Sequence, residues 1–72
     1  MPGKKLISIV IPVFNEQDNI EPLHNALVPI LAGLEDRYDF DIVFTDNHST
    51  DQTFPILRRL AAKDRRIHAL RF

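Results

Sequence analysis

Seventy-two residues without a cysteine exclude disulfides and thiolate zinc sites as staples, and at this length one core supplies only a few kcal/mol of net stability and leaves no room for a second domain. Hydrophobic residues make up 44% and charged residues 26% of the chain, the composition of a globular domain rather than a disordered tail. A formal net charge of -1 and a pI near 6.2 give no overall electrostatic drive toward nucleic acid or an anionic membrane, so nucleic acid is not an expected partner.

In chain order, Leu6-Ile7-Ser8-Ile9-Val10-Ile11 is rich in β-branched residues and almost continuously apolar. It predicts a strand covered on both faces, as parallel sheets produce. The apolar run from Leu6 to Phe14 is too short to span a bilayer, and Asn15 and Glu16 close it without a small-residue cleavage site. No targeting signal or membrane anchor is read here, and with the lack of cysteine this points to a cytoplasmic setting. Asp18-Asn19-Ile20-Glu21 has the spacing of an N-cap with an acid three positions on. Ile20, Leu23, Leu27, Leu31 and Leu34 follow as one apolar helical stripe. Pro22 is tolerable in the first turn. Pro29 removes a hydrogen bond to the Asn25 carbonyl and predicts a kink or an early end, with Gly33 as the stop.

Phe40-Asp41-Ile42-Val43-Phe44-Thr45 reads as a second strand. Ser49-Thr50-Asp51-Gln52 offers several caps, with Ser49 and Gln52 in capping-box spacing, ahead of a second helix carrying Phe54, Leu57, Leu60 and Ala61. Pro55 requires that helix to begin at about Asp51 or later. Lys63, Arg65 and Arg66 read as a solvated helix end, and Ile67 to Phe72 alternates like a third strand. Strand, helix, strand, helix, strand with short links predicts an α/β fold with two right-handed crossovers and a three-stranded parallel sheet. Doubly wound domains carry roughly five or more strands, so these residues read as one half of such a domain. An unpaired apolar edge on the first strand then predicts self-association or poor folding in isolation.

In a parallel sheet, ligands bind beyond the carboxyl ends of the strands. Two segments leave that edge: Pro12-Val13-Phe14-Asn15-Glu16 and Thr45-Asp46-Asn47-His48-Ser49-Thr50-Asp51. The only glycines are Gly3 and Gly33, so neither a dinucleotide fingerprint nor a P-loop is present. A site of this kind recognises base and ribose with side chains and carbonyls and leaves the diphosphate to a metal held elsewhere.

Ile7-Ser8-Ile9-Val10-Ile11-Pro12-Val13-Phe14-Asn15-Glu16, followed by Val43-Phe44-Thr45-Asp46-Asn47-His48-Ser49-Thr50-Asp51-Gln52-Thr53, resembles the opening of family-2 glycosyltransferases. These are inverting enzymes that use nucleotide-diphosphate sugars, and the subgroup that it most resembles transfers a sugar to a polyprenyl phosphate. The resemblance covers nearly the whole chain, and both motifs match together at their expected separation. It implies the Rossmann-like β-α-β-α-β half of a nucleotide-diphospho-sugar transferase domain over residues 1–72. It also implies a nucleoside pocket lined by Pro12, Phe14, Glu16, Thr45, Asp46 and Asn47. A divalent metal, magnesium or manganese, is implied with ligands outside these residues, as are the catalytic base and the acceptor site. A lipid-phosphate acceptor would place the whole enzyme at the cytoplasmic face of a membrane. Where the family usually has Asp-Asp-Gly-Ser, this chain has Asp46-Asn47-His48-Ser49. Asn47 still accepts a hydrogen bond, but carries no charge and can also donate, which bears on base preference. His48 in place of glycine implies either a left-handed position that tolerates a side chain or a changed turn.

Each candidate has a structural alternative. Asp46 can cap the following helix, Glu16 can be a solvated first-turn acid, and Phe14 can be core. Asp51 reads as a cap rather than a ligand contact. His48 reads as loop packing, because one histidine and one acid do not make a metal site, and His24 and His68 receive no role. The rival to an enzyme is a non-catalytic nucleotide-binding or interaction module. A receiver-like signalling domain fits poorly, because it needs an acid pair after its first strand, whereas here the acids follow the second.

Overall fold

The computed structural model describes residues 3–72. Its elements are β1 (Lys5–Val13), α1 (Ile20–Ala32), β2 (Tyr38–Asp46), α2 (Thr53–Lys63) and β3 (Ile67–Arg71). The strands form one sheet in the order β1-β2-β3, with both pairings parallel. The predicted α/β architecture is therefore the fold, and β2 is its centre.

Alternation along β2 sorts the sheet into two faces. Phe40, Ile42, Phe44 and Asp46 are buried, while the residues between them are not. The register places Ile9 and Ile11 beside Ile42 and Phe44 on one flank, and Ile67 and Ala69 beside them on the other. Ile20 and Leu31 of α1 and Leu57 and Leu60 of α2 complete the same core cluster, so both helices cover one face. Leu6, Val10 and Leu70 alternate onto the other face and are exposed.

This corrects the expectation that β1 is covered on both faces. Only Val13 of its nine residues is buried, because among the described residues β1 pairs on one side alone and the helices lie over one face. Its continuous apolar run cannot be satisfied by two helices on the same side.

The helix ends also depart from expectation. Asn19, not Asp18, is the N-cap of α1, and neither it nor Gln52 at the start of α2 makes a side-chain cap bond. The Asn19 amide instead donates to Glu16 Oε2 at 2.7 Å. Pro29 lies inside α1, which continues to Ala32 with Gly33 as its C-cap in ordinary right-handed conformation. Leu34 falls beyond the helix and is 38% exposed, leaving the apolar stripe one residue shorter than its spacing suggests. In α2, Pro55 occupies the third position, inside the first turn, where it is tolerated. The Ser49 and Gln52 capping box does not form, because the Ser49 hydroxyl is bonded to Asp46.

Arg66 is not a solvated cation. Its side chain is 23% exposed, and it donates from Nε to Asp64 Oδ1 at 2.9 Å, from Nη2 to Asp64 Oδ2 at 2.8 Å and from Nη1 to Glu35 Oε1 at 2.8 Å. His24 Nε2 of α1 lies 3.1 Å from Asp64 Oδ2. The Arg66 guanidinium holds the Asp64 carboxyl well below the usual carboxylate range against an opposing desolvation, with His24 adding to the effect. The Arg66 pKa is correspondingly raised. This cluster ties α1 to the connection between α2 and β3.

Candidate functional site

The parallel register brings Pro12 beside Thr45 and Val13 beside Asp46. Successive residues point to opposite faces, so the candidate residues divide. Pro12 and Thr45 belong to the face without helices, whereas Val13 and Asp46 belong to the helix-covered face. Phe14 is 53% exposed, and Asn47 is exposed beyond the end of β2. Asp46 has no exposed surface. Glu16 is half-buried, with its carboxylate engaged by Asn19. The structure thus brings all six to one end of the sheet but leaves Asp46 enclosed there and Pro12, Phe14 and Asn47 open.

What unites the two tips is a lattice of hydrogen bonds between residues 34 to 37 apart in sequence. The Asn15 backbone N–H donates to Ser49 Oγ at 2.9 Å, and the Glu16 N–H to Thr53 Oγ1 at 2.8 Å. In return, the Thr50 N–H donates to Asn15 Oδ1 at 3.0 Å, and the Gln52 N–H to Gln17 Oε1 at 3.0 Å. The Asn47 N–H completes the set with a bond to the Val13 carbonyl at 3.1 Å. Each loop supplies side-chain acceptors for backbone donors of the other, two of the bonds half-buried and two exposed, so these N–H groups are satisfied without regular secondary structure.

Asp46 anchors this lattice. Its Oδ1 accepts both the N–H of Ser49, at 3.1 Å, and the Ser49 hydroxyl. Ser49 is itself 2% exposed, so one carboxylate shapes the turn from below. Its Oδ2 has no hydrogen-bond partner among the described residues, and Arg71 Nε lies 3.7 Å away. Asp51 lies one residue before the Gln52 N-cap and serves the first turn of α2 from there: its Oδ1 accepts the Thr53 N–H at 2.9 Å and the Thr53 hydroxyl at 2.5 Å. Desolvation works to raise the Asp51 pKa, but the bonds from Thr53 and Gln17 outweigh it and leave the group below its ordinary value.

Among the described residues, Asn15 with φ 49° and His48 with φ 60° adopt the left-handed conformation. Asparagine and histidine are among the side chains that enter this region most readily. His48 therefore keeps the backbone turn expected of a glycine. It is exposed, and its Nδ1 lies 3.2 Å from the Phe72 carbonyl oxygen, as loop packing requires.

Sequence reasoning did not single out Gln17, Thr53 and Arg71 as members of this assembly. A signal was present in the density of Ser, Thr, Asn and Gln at both tips, since such side chains bond to nearby backbone in place of regular ladders. Among the described residues, no three His, Asp or Glu side chains come together in a way that could hold a metal ion. No helix among them is long and apolar enough to cross a membrane.

The model of glycosyl transferase family 2 matches residues 8–72. The protein CsbB of Bacillus subtilis is 34% identical over 67 residues, covering 93% of this chain and 20% of that protein. The succinoglycan biosynthesis protein ExoA of Rhizobium meliloti is 46% identical over 59 residues, covering 82% of this chain and 17% of its own. A dolichol-phosphate mannosyltransferase of Pyrococcus furiosus is 33% identical over 57 residues, covering 79% of this chain and 15% of its own. The chain thus spans a fifth or less of the length of these relatives. No solved structure matches it.

Proposed function

The chain belongs to glycosyl transferase family 2, and from that premise we propose that it forms the donor-nucleotide half of a glycosyltransferase domain. The enzyme transfers a sugar, with inversion, from a nucleotide-diphosphate donor to an acceptor such as a polyprenyl phosphate. Similarity to a dolichol-phosphate mannosyltransferase supports that acceptor class. A lipid-borne acceptor places the work at the cytoplasmic face of a membrane.

The observation that carries this reading is the cross-bonding of the two strand tips into one unit, at the sheet edge where parallel α/β folds bind ligands. Pro12 and Phe14 offer an apolar wall to a nucleoside, and the Thr45 backbone and Glu16 flank it. Asn47 meets the base through an uncharged amide that both donates and accepts. Asp46 acts from beneath, by holding the turn that presents Asn47.

A divalent metal would supply charge neutralisation for the diphosphate and would take its ligands from polypeptide outside these residues, as the family resemblance implies.

The test is titration of the full-length protein with uridine, guanosine, cytidine and adenosine diphosphates in the presence of manganese, comparing wild type with Asp46→Ala and Asn47→Asp. Asp46→Ala weakens the preferred nucleotide at least about tenfold, because the turn that presents Asn47 loses the carboxylate that holds it. Asn47→Asp, which restores the family's usual acid, changes the order of preference among bases. Unchanged affinity for every base in Asp46→Ala sinks the assignment.

A further inference from the structure

Arg71 closes β3 directly beside Asp46 in the parallel register. Three groups hold its guanidinium. Nη2 donates to the Ser49 carbonyl at 2.9 Å, Nε lies 3.7 Å from Asp46 Oδ2, and Cζ stands 5.3 Å from the centroid of the Phe54 ring. Two further bonds join the end of β3 to the same loop. The Phe72 N–H donates to the Asp46 carbonyl at 3.1 Å, and His48 Nδ1 meets the Phe72 carbonyl oxygen.

The electrostatic position of Asp46 explains why a cation belongs there. A carboxylate with no exposed surface is costly to keep charged unless an opposite charge or hydrogen bonds compensate. Ser49 satisfies Oδ1, but Oδ2 has no donor. Among the described residues, Arg71 is the cation within ion-pair distance of that oxygen. The planar fork of arginine can address the Ser49 carbonyl and the carboxylate together while stacking on an aromatic face; the point charge of lysine cannot.

We propose that Arg71 is a positioning residue for the nucleotide site: it holds the orientation of buried Asp46 and pins the Ser49 carbonyl, so that the Thr45 to Asp51 tip keeps its binding shape. The inference rests on the nucleotide reading above. Arg71 acts through Asp46, and Phe54 is the platform that keeps its guanidinium in place.

The experiment is a double-mutant cycle in the full-length protein, using the same nucleoside diphosphates with manganese and following the unfolding midpoint in parallel. Arg71→Gln weakens the preferred nucleotide about tenfold. Combined with Asp46→Asn, it adds no more than about a factor of two to the loss from Asp46→Asn alone, because the two residues act as one unit. Arg71→Lys remains several-fold weaker than wild type at an unchanged unfolding midpoint. Phe54→Leu weakens binding in the wild-type background but not beside Asp46→Asn, and carries the test if Arg71→Gln fails to fold. Losses that multiply in the double variant overturn the positioning role. So does wild-type affinity in Arg71→Gln and Phe54→Leu while Asp46→Asn is impaired. Wild-type affinity in Asp46→Asn for every nucleotide overturns instead the nucleotide reading itself.

Discussion

Thr53→Val removes one hydroxyl from the joint between the two strand tips and changes little else. Thr53 is fully buried, and its hydroxyl has two duties: it donates to Asp51 Oδ1 at 2.5 Å and accepts the Glu16 N–H at 2.8 Å. Valine has nearly the same volume and a similar helix propensity, so neither a cavity nor a backbone penalty enters. A hydrogen bond to a charged acceptor contributes about 1.5–3 kcal/mol, and an N–H left without a partner costs about 1–3 kcal/mol. Asp51 keeps its bond from the Thr53 N–H, and Glu16 is only half-buried, so water can partly replace the hydroxyl and the lower ends apply. The expected destabilisation is about 2–3 kcal/mol, a large fraction of the roughly 5–15 kcal/mol typical of a folded protein. Urea unfolding of the full-length protein measures it, with Thr53→Ser as the control that keeps the hydroxyl and loses only a methyl worth about 1 kcal/mol. If Thr53→Val falls within about 0.5 kcal/mol of wild type, or Thr53→Ser is equally destabilised, the hydroxyl is not what joins the tips.

Acid should act on the cluster at the far end of the helices. The Asp64 carboxyl is held below its ordinary value by Arg66 and His24, so its contribution to stability is whole above the unfolded value of about 3.9 and is lost as the pH falls from there toward the folded value. Unfolding followed from neutral pH down through that window should show a loss that is smaller in Asp64→Asn, a variant already less stable at neutral pH; an identical acid slope in the two proteins would refute the role of this carboxyl. Residues 1–72 alone should associate or fold poorly, because β1 has an unpaired edge and Leu6, Val10, Leu70 and Phe72 are exposed. Light scattering should show assemblies that Val10→Lys reduces, whereas a monodisperse monomer with cooperative unfolding in the unaltered peptide would count against this.

The element order and the parallel sheet were legible in the sequence because they depend on local patterning. Phe40, Ile42 and Phe44 alternate with less buried neighbours at the period of a strand, and Ile20, Leu23, Leu27 and Leu31 recur at the period of a helix. The location of the candidate site followed from the same order, since strand ends in a parallel sheet share an edge. Family likeness added the identities of Pro12, Phe14, Glu16 and the residues from Thr45 to Asn47. Tertiary structure decided what those residues do to one another. Local spacing suggested that Ser49 caps α2 and that Arg66 is free in solvent, yet Ser49 serves Asp46 and Asn15, and Arg66 serves Asp64 and Glu35. The apolar run of β1 likewise announced a strand but not which face would be covered. A polar side chain takes whichever partner folding brings within about 3 Å: Asp46 and Asp64 are near neighbours in sequence of Ser49 and Arg66, but Asn15 and Glu35 lie 34 and 31 residues away, beyond the reach of any local pattern.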